Sequence, residues 1–291
     1  MGENVKEQML IGETLFSFDT PRPIHWRPEE QQFDCRPDAA CRQRVQINIQ
    51  FVPDLPELMA RELYRSEGLK IGLDGEHNEV RIYSAAFLSG RPVYAASVLR
   101  GSTVTVYFVG GQSLWDNPNI RVWNLVHMER LLLNVGALVL HCSYLMYQGK
   151  AILFSAPSGT GKTTQAKLWE KLYPAKIING DKAILQKKDG TWYACGYPFH
   201  GSADECLNEQ YPIGTVVVVR QSPEDRIEPM GPMQRLQALY SETTVNVWNR
   251  AAVDRTLDLI GDLAASVEVV RQHCTMRDEA CRTLHRYLTE E

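Results

Sequence analysis

The chain has 291 residues, 44% of them hydrophobic and 23% charged, with a mean hydropathy of −0.28 and a formal net charge of −4. That length allows two domains, or one domain with an extension, and buries a full core without staples. A mildly acidic chain excludes a nucleic-acid protein basic over its whole surface, and no apolar run is long enough to span a bilayer.

Residues Met1–Glu7 are polar and mixed in charge, unlike a secretory signal, so the reading is a cytoplasmic protein with no membrane and no nucleic-acid partner. The seven cysteines include no Cys-x-x-Cys pair. Cys35 and Cys41, like Cys274 and Cys281, are spaced outside the common zinc patterns, which points to reduced structural thiols.

Residues 1–118 read as β-rich. Val45–Val52, Leu69–Leu73, Val80–Ala85, Val93–Val98 and Thr103–Val109 are short β-branched and aromatic runs separated by Gly, Asp and Asn. Arg22–Ala40, polar and with three prolines, reads as an irregular loop. The apolar positions of Ile120–Leu133 suit a helix, so 119–134 reads as a connecting helix after Pro118. From 135 to 291 strands alternate with helices. Strands are expected at Leu138–Leu140, Tyr144–Tyr147, Ala151–Phe154, Lys176–Ile178, Ala183–Gln186, Trp192–Ala194 and Thr215–Arg220. Helices are expected at Lys162–Leu172, Pro232–Tyr240, Ala251–Ala264 and Met276–Tyr287. No internal repeat or low-complexity tract interrupts this order.

The glycine-rich turn 156–164 reads Ala-Pro-Ser-Gly-Thr-Gly-Lys-Thr-Thr. It matches a phosphate-binding loop in which Gly161-Lys162-Thr163 closes the pattern and Ala156 stands where the first glycine usually sits. Gly159 and Gly161 permit a backbone that aims several N–H groups into one concavity, and the following helix adds its positive end. Ser158, Gly159, Thr160, Gly161, Lys162, Thr163 and Thr164 are thus the nucleotide-binding candidates, with Lys162 reaching the outer phosphates and Thr163 holding Mg²⁺. A chance glycine turn is the plain alternative, and the apolar strand before it and the helical pattern after it count against that.

Asp181 follows the strand Lys176–Ile178 where a metal-binding carboxylate is wanted; as Asn179-Gly180-Asp181-Lys182 it also reads as a turn aspartate. His141 sits at an apolar strand end and reads either as a structural histidine or as part of the site. His200 and Ser202, in a glycine-flanked aromatic loop, suit a substrate loop as well as a plain turn. Asp204, Glu205 and Arg220 read equally well as solvated surface.

These residues together resemble the HPr kinase/phosphorylase family, itself related to phosphoenolpyruvate carboxykinase. The resemblance rests on Ser158-Gly159-Thr160-Gly161-Lys162-Thr163, on His141 at the family's distance ahead of the loop, and on Asp181 at the family's metal-binding acidic position. It covers 135–200 well and the N-terminal half not at all. It implies an α/β fold: an HPr-kinase-like P-loop catalytic domain of mixed sheets with helices, preceded here by a β-rich N-terminal domain that could bind substrate or partner. It also implies ATP and Mg²⁺ as cofactors, catalytic roles for His141, Lys162 and Asp181, and metal ligation by Thr163 and Asp181. The activity implied is phosphoryl transfer to a serine-like hydroxyl of a peptide, protein or small molecule. The family carries two consecutive acidic residues where this chain has Gly180 before Asp181, and its downstream glycine-rich signature is missing. A nucleotide-gated binding module is therefore the competing expectation. A carboxykinase-like decarboxylation fits poorly with the short chain. A separate β-rich domain is also compatible with a homo-oligomer.

Overall fold

The structure of the chain, a computed structural model, describes residues 4–36, 38–85, 93–109, 112–117, 120–199 and 205–290. It divides into two units: 1–27 with 34–135, and 28–33 with 136–291. In chain order the elements before residue 136 are β1 (Val5–Ile11), β2 (Thr14–Thr20), α1 (Pro28–Gln31), β3 (Gln43–Val52), β4 (Arg61–Ser66), β5 (Leu69–Leu73), β6 (Glu79–Ser84), β7 (Val93–Arg100), β8 (Thr103–Val109), α2 (Gln112–Trp115), a 3₁₀ turn (Val122–Leu125) and α3 (Met128–Asn134). After it come β9 (Ala137–Tyr147), β10 (Lys150–Ser155), α4 (Lys162–Leu172), β11 (Lys176–Asn179), β12 (Lys182–Lys188), β13 (Thr191–Cys195), β14 (Gln210–Gln221), β15 (Arg226–Pro229), α5 (Pro232–Glu242), α6 (Arg250–Ser266), β16 (Glu268–Cys274) and α7 (Asp278–Thr289). The class is therefore mixed α/β, with two large sheets.

The first sheet runs β1-β2-β3-β8-β7-β6-β5-β4, parallel at β2–β3 and β3–β8 and antiparallel elsewhere. Period-two alternation buries Val45, Ile47 and Ile49 of β3 with Val104, Val106 and Phe108 of β8 on one face. Trp123, from the 3₁₀ turn, packs edge-on against Phe16 and Phe18 and closes this core. Five strands expected from the sequence are present as β3, β5, β6, β7 and β8. β1, β2 and the fully exposed β4 are additional, and their mixed charged and apolar residues explain why they do not announce themselves.

The helix expected over 120–133 is broken. His127 adopts a left-handed backbone, φ 53°, between the 3₁₀ turn and α3. Its buried ring accounts for this: Nδ1 lies 3.0 Å from Glu79 Oε1 and Nε2 lies 2.8 Å from Ser97 Oγ. Arg81 joins Glu79 at 2.8 Å and Glu129 at 2.7 Å, so each charge has an opposite beside it. Within Arg22–Ala40, expected to be irregular, α1 forms one short helical turn and belongs with the second unit, where Gln32 Nε2 donates to Cys206 O at 3.1 Å.

In the second unit the pairings run β10-β9-β12-β13-β14-β16-β15, β11 adds to β9, and β10 also pairs with β14, so β9, β12, β13, β14 and β10 form a closed circuit. β10, β14 and β16 are mutually parallel. Helices α4 and α7 cover them through a core of Phe154, Ala166, Trp169, Val217, Val270, Cys281 and Leu284. Leu138–Leu140 and Tyr144–Tyr147, expected as two strands, are one eleven-residue strand, β9. No disulfide joins any of the seven cysteines. Among the described residues no helix is long and apolar enough to cross a membrane.

Burial, reinforced by the Arg81 guanidinium, holds the His127 imidazole down to about 4 from an ordinary 6.5, against the hydrogen bond to Glu79. The unfolded chain therefore binds a proton between those values that the folded chain refuses. The contribution, on the order of 3 kcal/mol, is present above pH 6.5 and lost as pH falls to about 4. Urea unfolding at several pH values should show a steeper loss over this window in the native chain than in His127→Gln; equal slopes would refute the assignment.

Candidate functional site

β9 changes neighbours in mid-strand, and the site forms where it does. Along one edge β10 pairs with its second half, ending at Ser155 opposite Cys142. Past that point the same edge is taken up by the chain leaving α5: Leu140 bridges Thr243, and Thr244 N–H donates to Val139 O at 2.8 Å. Along the other edge β11 and β12 lie end to end. Asn179 pairs with Tyr144 and Lys182 with His141, a three-residue step on both sides, so Gly180 and Asp181 interrupt the ladder without shifting the register between those pairs. His141 thus stands between the end of β10, the end of α5 and the break before β12.

The turn after β10 leads directly into α4. Gly159 and Gly161 both have left-handed backbones, φ 78° and 110°, and a Cβ on Gly161 would collide with the Met276 side chain. Pro157, Ser158 and Gly159 are exposed, Thr160 and Thr163 half-buried, and Thr164 exposed. Gln221 Nε2 steadies the turn by donating to Thr160 O at 3.3 Å. Lys162, 6% exposed, folds back over its own loop and donates to Ala156 O at 2.7 Å and Pro157 O at 3.3 Å. Burial holds its ammonium below the usual lysine range, opposed first by the charge of Glu242 and also by Asp181.

Asp181 is placed by Asn179, a buried side chain whose four hydrogen-bonding positions are all used. Its Oδ1 accepts from Asp181 N–H at 2.9 Å and Lys182 N–H at 3.0 Å, and its Nδ2 donates to Tyr197 O at 3.2 Å and Phe199 O at 3.1 Å. The backbone carbonyl of Asp181 accepts from Cys142 N–H at 3.0 Å. Its carboxylate lies 3.5 Å from His141 Nε2. The other ring nitrogen, Nδ1, is 3.1 Å from Glu242 Oε2.

His141, Lys162 and Asp181 are therefore brought to one place, with Thr163 in the first turn of α4 beside Lys162. Glu242 and Asn179 complete the set and were not singled out from sequence. Glu242 ends an amphipathic helix and looks like any surface glutamate; Asn179 looks like the turn residue it partly is. His200 and Ser202, with Asp204, lie outside the described residues. Arg220 is exposed at the end of β14. Among the described residues no group of three or more His, Cys, Asp or Glu side chains is disposed to hold a metal ion unaided. Replacing Asn179 by alanine strands two N–H groups and two carbonyls, and should cost at least roughly 2 kcal/mol in urea unfolding. A loss below about 0.5 kcal/mol would show that Asn179 does not hold this corner.

No curated protein matches the chain. Among solved structures it is similar to the Hpr(Ser) kinase/phosphatase from Coxiella burnetii, at 9% sequence identity and a TM-score of 0.31, over 53% of this chain and 99% of that one. That likeness is too slight to bear on the site. The family model of SynChlorMet cassette protein ScmC matches residues 115–278, more than half of the chain and a stretch that contains β9, the glycine turn, Asp181 and Glu242. The chain belongs to the SynChlorMet cassette protein ScmC family.

Proposed function

We propose that the protein is an ATP- and Mg²⁺-dependent kinase that transfers a phosphoryl group to a serine-like hydroxyl of a peptide, protein or small molecule. The observation that carries this reading is the convergence of a histidine and a carboxylate, 3.5 Å apart, on a glycine turn whose lysine is held inside its own loop. The residues fit the cofactor. The turn is exposed, with open space over Gly159, and its N–H groups and the start of α4 offer positive potential to phosphate oxygens. Thr163 and Asp181 offer the hard oxygen donors that Mg²⁺ prefers, and phosphate oxygens would fill the rest of its shell.

Bound Mg²⁺ would neutralise charge on the transferring phosphoryl group. The chain's own residues do the remainder. Lys162 leaves the carbonyls of Ala156 and Pro157 for the outer phosphates, a trade of neutral acceptors for charged ones. The turn and α4 fix the donor, and His141 with Asp181 orients the acceptor hydroxyl and takes its proton. Gly180 removes one acidic neighbour from this corner, yet the ring of His141 still meets a carboxylate at each nitrogen.

Purified full-length chain should consume MgATP. Lys162→Ala and Asp181→Asn should each lower the rate by roughly 10²–10³-fold while the fold, judged by circular dichroism, is retained. Tight ATP binding with no consumption in the presence of any hydroxyl acceptor would refute the kinase and favour a nucleotide-gated binding module.

A further inference from the structure

Phosphoryl transfer as described leaves one charged side chain of the site without a task. Glu242 is 10% exposed and comes from 101 residues away to place Oε2 3.1 Å from His141 Nδ1. Its backbone is not a mobile tip. The residues that follow are clamped to the strand that carries His141, through the Leu140–Thr243 bridge and the bond from Thr244 N–H to Val139 O. Thr243 is fixed again by its hydroxyl, which donates to Leu239 O at 2.7 Å and closes the last turn of α5. A carboxylate at the negative end of a helix is disfavoured by the helix itself, so a hydrogen-bond donor at that position is worth more than it would be elsewhere.

The two carboxylates reach His141 from opposite edges of β9, Glu242 on the side of β10 and Asp181 on the side of β12. They differ in closeness. The contact to Glu242 is a hydrogen bond, whereas the 3.5 Å to Asp181 is the looser one, the contact that can open to admit a hydroxyl oxygen. When one ring nitrogen of a histidine donates to a carboxylate, the tautomer is set and the other nitrogen is left as an acceptor.

We infer that Glu242 is a positioning residue: it fixes the orientation and tautomer of His141 so that Nε2 faces the acceptor hydroxyl beside Asp181. The inference rests on the kinase reading. In the step it serves, the hydroxyl proton passes to Nε2 and the hydroxyl oxygen forms a bond to the γ-phosphorus. The bond from that phosphorus to the β-phosphate bridging oxygen breaks, its electron pair leaves with ADP, and the proton is later released to water. Glu242 thereby supplies from a distant helix the second carboxylate that Gly180 denies to the chain next to Asp181.

The test uses the full chain, ¹⁵N-labelled at histidine, with Mg²⁺ and a non-hydrolysable ATP analogue, and reads the His141 tautomer by long-range ¹H–¹⁵N NMR. The native ring should carry its proton on Nδ1, and Glu242→Leu should move the population to the Nε2–H form that imidazole prefers in water. In parallel, MgATP consumption with water as acceptor is measured for Glu242→Gln, which keeps the side-chain shape. Its kcat should fall by at least roughly tenfold while KM for ATP changes by less than about twofold. An Nε2–H ring in a native chain that does consume ATP, or an unchanged kcat in Glu242→Gln, overturns the role of Glu242 and leaves the kinase standing. A native chain that consumes no ATP with water or with any hydroxyl acceptor overturns the kinase reading, and the inference with it, whatever the tautomer.

Discussion

Everything at the candidate site follows from how the backbone hydrogen bonds of β9 are shared out. A buried strand must satisfy N–H and C=O groups on both edges, and no single neighbour here does so along the full eleven residues. On one edge β10 hands over to the exit of α5; on the other β11 gives way to β12 across a two-residue break. A handover leaves a gap in side-chain cover, and both gaps fall around His141. The glycine turn follows the last residue of β10, the aspartate lies in the break between β11 and β12, and the glutamate is the last residue of α5. Ser155 confirms the economy of the arrangement, since its hydroxyl donates to His141 O at 3.2 Å from the last rung before the turn.

Charge placement obeys the same logic of compensation. Lys162 is nearly buried, and its ammonium is tolerated because two carbonyls solvate it at short range and two carboxylates stabilise it at longer range. The first unit solves a similar problem differently. There Glu79, Arg81, Glu129 and His127 pair with one another, with the histidine kept neutral by burial and the adjacent guanidinium. Of its members only Glu129 is partly exposed, and its carboxylate is held by Arg81 at 2.7 Å. In the second unit the side chains of His141 and Asp181 remain 29% and 26% exposed, and that partial exposure separates a site from a structural cluster.

The sequence made the local features readable and hid the relational ones. Gly159, Gly161 and Lys162 were legible because two left-handed positions and a lysine at a helix start are a pattern written within a few residues. Asp181 was legible because an apolar strand precedes it. β9 does not look like one strand in sequence, because His141, Cys142 and Ser143 resemble a polar break; they are the point where the strand exchanges partners, and Cys142 and Ser143 are fully buried. β16, with Glu268, Arg271 and His273 among its valines, and the wholly exposed β4 lack a clean alternation. The break in the helix over 120–133 depends on Glu79 and Ser97, far from it in the chain. Glu242 gave no local signal, since its importance lies in which strand its helix returns to.

The long separation between His141 and Glu242 also bears on how the chain acquires its chemistry. Loop closure over 101 residues is entropically slow, and parallel pairings such as β10–β14 and β14–β16 add to the delay. As the chain leaves the ribosome, His141 and the glycine turn emerge well before α5, so the ring of His141 is made long before its helix-borne partner. The contact between His141 and Glu242 therefore forms only once the last third of the chain has docked.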